Sequence, residues 1–296
     1  MNYYNEIKNE LINNEIYKKV KDYSKNKYEL ERYYNVGKLL FNAGKHYGES
    51  VIKQYSYKLM NEVAKKYSYR TLFRIRQFYT LFSDMKVSAL PTQLSWSHYT
   101  ELLVLKDYDA INYYINISIN KNLSYRELHN KIKSHEYERL DTNTKNKLIN
   151  KKDNTINDFI KHPIIIKNKY NHKEISEKIL KQLILEDIES FMNELGEGFS
   201  FIGSEYRIKL ENRYNYIDIL LFNIKYNCYV VVELKTTELK KEHIGQIQVY
   251  MNYIDKNIKN IYQSSTIGII IVKYNNEFVI EYCSDNRIYN TTYELV

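Results

Sequence analysis

The sequence predicts two domains: a mainly α-helical N-terminal domain, residues 1–133, and an α/β domain, residues 163–296, whose central mixed sheet is flanked by helices. In the first range, apolar residues recur at spacings of three and four, as in amphipathic helices. The range 134–162 is polar and aperiodic, which indicates a linker. Beyond it, a helical segment, several short apolar runs and a second helical segment alternate in the order that favours an α/β sandwich.

The elements of the first domain follow from local signals. Helical spacing is clear between Val36 and Val63, and a further helix is expected over Tyr69–Asp84. A proline-containing break then precedes a helix at Ser95–Lys106. Ser124 and Glu127 have the spacing of a capping box, so another helix is expected to begin there.

The second domain is predicted to begin with an amphipathic helix, which Gly196 and Gly198 end. The predicted elements in order are a helix at His172–Leu195, strands at Phe199–Ile202, Tyr206–Glu211, Tyr216–Phe222 and Tyr229–Glu233, a helix at Glu242–Asp255, and strands at Thr266–Val272 and Phe278–Tyr282.

The net excess of positive charge lies entirely in the N-terminal half. Residues 1–150 carry 25 Lys and Arg against 16 Asp and Glu, a net of +9, whereas residues 151–296 carry 19 against 20, a net of −1. A basic module joined to a nearly neutral one that carries acids suits a polyanion binder coupled to a metal enzyme. The alternative is a basic surface that is only solvated.

Other classes of protein are disfavoured. Cys228 and Cys283 lack metal-ligand spacing and are expected to be reduced thiols in a cytoplasmic protein. The first residues lack the apolar core of a signal peptide, and the longest apolar run, Ile267–Val272, is too short to span a membrane. Phosphate loops, nucleophile elbows and zinc motifs are missing from the sequence.

Acids in two neighbouring apolar strands mark the candidate site. Asp218 lies within one strand, and Glu233 ends the next, two residues before Lys235. If these strands pair, both carboxylates can reach one cation, and Mg²⁺ prefers such oxygen ligands. A metal-bound water is a nucleophile for phosphodiesters, and Lys235 would orient it or stabilise developing charge. The alternative is a buried ion pair between Asp218 and Lys235, with Glu233 at a strand end.

Longer motifs extend this pattern through the chain. They are Glu194-Leu195-Gly196-Glu197-Gly198-Phe199, Tyr206-Arg207-Ile208, Ile217-Asp218-Ile219-Leu220-Leu221-Phe222, Cys228 to Lys235, Gly245-Gln246, Ile267-Gly268-Ile269, Val279-Ile280-Glu281-Tyr282 and, in the first domain, Leu90-Pro91-Thr92-Gln93-Leu94-Ser95-Trp96-Ser97-His98-Tyr99. In these residues the chain resembles the YhcG-like family of PD-(D/E)XK nucleases.

The resemblance implies a restriction-endonuclease-like core that cleaves nucleic acid, with DNA expected, using Mg²⁺ or Mn²⁺ in its place. It implies an N-terminal helical, winged-helix-like domain. It places Asp218, Glu233 and Lys235 on the family's D…ExK triad, with Asp218 and Glu233 as metal ligands, and Gln246 on the glutamine of the following helix. Cutting both strands of a duplex with one site per chain would favour a homodimer.

Two positions depart from the family pattern. Lys181 stands where such proteins often carry a glutamate, and Glu177 or Glu186 are candidates to replace it. At the second position, Gly203-Ser204-Glu205 replaces a Gly-Arg-Gln. Glu205 is either a supplementary metal ligand or, as we expect, a solvated strand residue. These departures motivate the alternative function, a catalytically inactive nucleic-acid-binding or assembly protein on a nuclease fold.

The helix at Tyr69–Asp84 is the candidate nucleic-acid-reading helix. Arg70, Arg74 and Gln77 fall on one face, with Arg76 between them, and such side chains contact base edges or phosphates. Solvated helix charges are the competing interpretation. His98 is expected to be packed and hydrogen-bonded, because no second histidine or cysteine lies at ligand spacing.

Overall fold

The computed structural model describes residues 3–18, 25–83, 90–150, 155–283 and 285–296. The chain divides into two compact units, residues 1–138 and 139–296. Residue 84, the expected end of the nucleic-acid-reading helix, lies outside the described residues. Within the described ranges, no helix combines the length and apolar character needed to cross a membrane.

The described part of the first unit is helical. Its helices are α1 Tyr3–Lys18, α2 Lys25–Tyr47, α3 Ser50–Glu62, α4 Tyr69–Phe82, α5 Trp96–Leu102, α6 Tyr108–Asn120 and α7 Tyr125–Lys133. This agrees with the helical domain predicted from apolar spacing. No strand occurs among the described residues of the unit, so they contain no wing of a winged helix.

Caps and close packing fix these helices. Helix α4 begins after Ser68, whose Oγ accepts a hydrogen bond from Thr71 N at 3.4 Å. Helix α7 has the predicted capping box between Ser124 and Glu127. Helices α2 and α4 approach closely at Gly37, where an added Cβ would lie 2.5 Å from a backbone oxygen of α4.

The range predicted as a linker contains regular structure. Helix α8 spans Thr142–Ile149, and a 3₁₀ turn spans Ile156–Phe159. Asp158 is buried there and accepts hydrogen bonds from Lys147 Nζ and Thr155 N. Its pKa is lowered because these bonds outweigh the effect of burial, which alone would raise it. This polar segment therefore packs through the ion pair between Lys147 and Asp158 as well as through apolar contacts.

The second unit is built on a six-stranded mixed sheet. Its strands are β1 Ile164–Ile166, β2 Phe199–Leu210, β3 Arg213–Asn223, β4 Cys228–Leu234, β5 Ile267–Val272 and β6 Ile288–Leu295, and its remaining helices are α9 Glu177–Glu186, α10 Ile188–Leu195, α11 Lys241–Asn257 and α12 Glu277–Cys283. The order across the sheet is β1-β6-β5-β4-β3-β2. The β2–β3 and β3–β4 pairs are antiparallel, and the others are parallel.

Helices cover both faces of this sheet, as the predicted sandwich requires. On one face, α9 and α10 pack on a core that includes Val230, Val232 and Leu234 of β4. On the other face, α11 and α12 pack on a core that includes Val231 and Ile270. Alternation along β4 therefore assigns Glu233 to the α11 face.

The strand predicted at Phe278–Tyr282 is wrong, because these residues lie in α12. A short apolar run does not distinguish a strand from a buried helical turn. Here the side chain of Asn276 accepts a hydrogen bond from Val279 N at 3.2 Å, and this bond favours the helical turn.

The elements of the second unit differ from the prediction in three other ways. The helix predicted at His172–Leu195 is two helices, because Asp187 leaves helical geometry and caps α10 through Ser190 N. The strands predicted at Phe199–Ile202 and Tyr206–Glu211 form one strand, β2, with a register irregularity between Phe201 and Gly203. The sequence prediction also lacked β1 and β6.

Candidate active site

The candidate site lies where β3 and β4 end their pairing. The last residue pair between them is Ile219 with Val232, and one step further the register sets Asp218 opposite Glu233. At this point a side-chain hydrogen bond replaces the backbone pairing of the two strands: Oδ2 of Asp218 accepts a hydrogen bond from Leu234 N at 3.0 Å. The strand pairing that the sequence analysis required is therefore present.

Glu233 is the most deeply buried acid of the site. Its side chain is only 2% exposed, and its Oε2 lies 3.5 Å from Lys235 Nζ. Among the described residues, its Oε1 has no hydrogen-bond partner. Burial, and secondly the charge of Asp218, raise its pKa to about 8. A buried carboxyl oxygen without a donor is costly, and a bound cation would remove that cost.

Lys235 lies between two acids. Its Nζ is 3.5 Å from Glu233 Oε2 and 3.5 Å from Glu177 Oε2. Glu177 is the first residue of α9, which begins after Ser176, whose Oγ accepts a hydrogen bond from Ile179 N. Glu177, one of the two acids expected to substitute for the glutamate that Lys181 replaces, therefore lies at the candidate site.

Lys181, one helical turn after Glu177, binds the acids on the other side of the site. Its Nζ lies 3.1 Å from Asp218 Oδ1 and 2.7 Å from Glu205 Oε1. Burial lowers the pKa of Lys181, but its hydrogen bonds to Glu205 and Asp218 outweigh burial and leave the pKa raised. Glu205 is exposed, as expected of a solvated strand residue, and it also forms an ion pair with Lys181. Glu186, the other substitute acid, instead accepts a hydrogen bond from Gln182 on the exposed part of α9.

Helix α11 packs on the same face of the sheet as Glu233 and supplies further polar side chains. Gln246 Nε2 donates to Tyr250 OH at 3.1 Å. Burial raises the pKa of Tyr250, and the charge of Glu233 acts in the same direction. Burial, and then Lys235 and Lys240, lower the pKa of His243. Tyr250 and His243 are not among the residues predicted from the sequence, although their spacing from Gln246 along a helix indicates them.

The donor set suits a hard divalent cation. Asp218 and Glu233 supply carboxylate oxygens, and Mg²⁺ commonly binds to one or two carboxylates while keeping several waters. The unpartnered Oε1 of Glu233 fits such an ion. No cluster of three or more His, Cys, Asp or Glu able to hold a metal occurs among the described residues. Coordination would therefore rest on two carboxylates.

The first unit presents a basic and aromatic face on α4. Arg70 and Arg74 are exposed, as is Phe73 between them. Arg76 is instead largely covered and pairs with Glu49 at 2.5 Å.

Gln77 is turned inward from this face. Its Nε2 donates to Leu103 O at 2.7 Å. The structure therefore leaves Arg70 and Arg74 accessible and gives Arg76 and Gln77 intramolecular partners. His98 is hydrogen-bonded to Ser95 and to Leu123 O, which confirms its expected structural role.

Two known protein families match this chain. Residues 157–295 match the YhcG PDDEXK nuclease domain, and residues 9–139 match the DUF1016 N-terminal domain. A curated relative from Escherichia coli (strain K12), named "Putative nuclease YhcG", is 23% identical over 266 residues, which cover 76% of this chain and 70% of the relative.

Two solved structures are also similar. One is a repair endonuclease from Pyrococcus abyssi, with 19% identity and a TM-score of 0.28, covering 43% of this chain and 49% of that chain. The other is an EndoMS-dsDNA2 complex, with 16% identity and a TM-score of 0.29, covering 44% and 48%. The chain thus spans about half the length of each.

Proposed function

Residues 157–295 belong to the YhcG PDDEXK nuclease domain family and residues 9–139 to the DUF1016 N-terminal domain family, and from this we propose that the protein is a metal-dependent endonuclease that hydrolyses phosphodiester bonds of DNA. The carrying observation is the pair of acids on adjacent strands, Asp218 and Glu233, with one buried oxygen of Glu233 unpartnered among the described residues.

Each site residue has a role in this proposal. Asp218 and Glu233 hold Mg²⁺, for which Mn²⁺ can substitute. The ion, when bound, supplies an acidified water and neutralises phosphate charge. Lys235, already held between Glu233 and Glu177, orients the attacking water or offsets charge on the phosphate. Gln246 lies on α11, which packs on the same face of the sheet.

The basic face of α4 supports DNA as the substrate. Arg70 and Arg74 are exposed on the unit that carries the excess of positive charge, and phosphate contacts by such side chains dominate non-specific affinity for DNA. The described residues contain one candidate active site, so cleavage of both strands of a duplex would call for a homodimer.

Replacing Asp218 by asparagine tests the site. The amide of Asp218→Asn would keep an acceptor for Leu234 N but lacks the charge that holds the ion. We therefore expect Mg²⁺-dependent cleavage by this variant to fall roughly 10³-fold or more. Cleavage is measured on duplex, branched and single-stranded DNA and on RNA.

The control is Glu238→Gln, which neutralises an exposed acid just after Lys235 that is bonded to Asn276. This variant should cut normally, and both variants should keep the wild-type melting temperature. Cutting at the wild-type rate by Asp218→Asn would contradict the site assignment.

One observation favours the alternative function, a non-catalytic nucleic-acid-binding protein. The ammonium of Lys181 already lies 3.1 Å from Asp218, where a cation would bind. Failure to cut any of these substrates with Mg²⁺ or Mn²⁺, together with salt-sensitive DNA binding, would support the alternative and reject the endonuclease proposal.

A further inference from the structure

Three carboxylates lie side by side on three neighbouring strands. On β2, the pairs Ser204 with Ile219 and Tyr206 with Ile217 flank Glu205, so the register sets Glu205 opposite Asp218. On the other side of β3, the register sets Asp218 opposite Glu233. We call Glu205, Asp218 and Glu233 the carboxylate row. Facing like charges on adjacent strands repel, so the row needs cations.

Lys181 supplies one of these cations within the protein. Its Nζ bridges Glu205 and Asp218 at 2.7 and 3.1 Å, and its side chain is only 15% exposed. Glu205 adopts a φ of 47°, a left-handed conformation that is uncommon for residues other than glycine. The bridge therefore occupies the β2 end of the carboxylate row.

The other end of the row is not neutralised to the same degree. Glu233 shares Lys235 with Glu177 at 3.5 Å, and its Oε1 has no partner among the described residues. The formal charges of the site show how much negative charge the two lysines leave uncompensated. The carboxylate row and Glu177 carry four negative charges when ionised, and Lys181 and Lys235 carry two positive charges, which leaves −2. One divalent ion would balance it.

We infer that this site binds a single divalent ion at Asp218 and Glu233, and that the ammonium of Lys181 is a tethered cation that excludes a second ion from between Asp218 and Glu205. The inference rests on the proposed metal-dependent function. It assigns Lys181 a positioning and specificity role: it sets the number of ions and is not itself a catalytic residue.

The test is the stoichiometry of Mn²⁺ binding to the full chain, measured by titration calorimetry and by paramagnetic resonance of free Mn²⁺. The wild type should bind one ion. Lys181→Ala should bind two, because it frees oxygens of Asp218 and Glu205. It should also bind the first ion roughly tenfold or more tightly, because a neighbouring positive charge is gone.

Two variants separate a local effect from a general change in charge. Lys178 is exposed on the same helix, and its charge also acts on Glu205. Lys178→Ala should therefore still bind one ion. The double variant Lys181→Ala/Glu205→Gln should return to one ion, because Glu205 would be the ligand that the second ion requires.

The outcomes distinguish this inference from the proposed function. Two ions in the wild type would overturn the inference and leave metal dependence intact. One ion in both the wild type and a folded Lys181→Ala, with unchanged affinity, would also overturn it. No Mn²⁺ binding by the wild type at millimolar concentration would overturn both. Circular dichroism of each variant confirms that it is folded.

Discussion

Glu233 shows how one buried carboxyl can be prepared for a cation. Its neighbours on β4 are apolar, and burial keeps its proton bound at pH values where an exposed glutamate is ionised. A divalent ion would replace that proton. The raised pKa therefore couples the stability of the second unit to pH in a way that can be measured.

Without divalent ions, the free energy of unfolding should fall as pH rises. The pKa of Glu233 is about 8 in the folded protein, against 4.5 ordinarily. Between these values the unfolded chain binds fewer protons, so stability decreases from about pH 4.5 to 8 and then levels off. Glu233→Gln cannot ionise and should not show this decrease. Its stability relative to the wild type should therefore rise by about 1.4 kcal/mol for each pH unit in this window.

Urea unfolding in EDTA between about pH 5 and 9 measures this difference. Other groups titrate in both proteins, so the relevant quantity is the gap between the wild type and Glu233→Gln. A gap that stays constant across this range would contradict the raised pKa.

Sequence alone was enough to bring Asp218, Glu233 and Lys235 together, because strand alternation and the pairing of consecutive strands are local rules. It was not enough to place Lys181. That lysine reaches Asp218 only because α9 packs over the sheet at one particular position, which depends on contacts between segments distant in the sequence. The ion pair of Glu205 was not predicted for the same reason, since its partner Lys181 lies on α9.

Helix α11 can approach the sheet closely because Gly268 has no side chain. A Cβ added at Gly268 on β5 would lie 2.8 Å from Ile247 Cδ1 and 2.8 Å from Met251 Sδ. Both residues belong to α11, which also carries Gln246 and Tyr250. This close approach therefore helps to set the distance of those polar side chains from the carboxylate row.

Gly268→Ala should displace α11 and destabilise the nuclease unit by about 1–3 kcal/mol, since overpacking a filled core has that cost. Gly245→Ala is the matched control, because nothing lies within 4 Å of its added Cβ. Alanine in that helical position should be neutral or stabilise the protein by up to about 1 kcal/mol. Equal melting temperatures for the two variants, measured by calorimetry, would contradict the packing argument.

The sequence predicts some strands of the second unit and does not predict others. Strands β4 and β5 and the second half of β3 are mainly apolar and buried, as central strands covered on both faces are. Strand β1 has only three residues, and β6 is rich in Tyr, Asn and Thr, so neither has a strong apolar signal. Strand β1 pairs with β6, which joins residues more than a hundred positions apart, and β6 also pairs with β5.

The two halves of the chain differ in net charge. Residues 1–150 carry a net of +9 (25 against 16), and residues 151–296 carry −1 (19 against 20). If the first unit is the anchor for DNA, its exposed arginines should account for part of the salt dependence of binding.

Arg70→Ala/Arg74→Ala should weaken DNA binding and reduce the slope of log K against log salt by about one for each phosphate that these arginines neutralise. Fluorescence anisotropy between about 50 and 200 mM salt measures this slope. Lys169→Ala/Lys173→Ala removes two exposed charges from the second unit as a control. An equal effect of both pairs would mean that net charge, and not the face of α4, governs binding.

Pairing of β1 with β6 has a consequence for biosynthesis. Ile164 pairs with Tyr293, so the sheet closes across almost the whole second unit. Asp218, Glu233 and Gln246 are all synthesised before β6. The residues of the candidate site therefore exist before the complete sheet, which can form only when β6 has paired with β5 and β1.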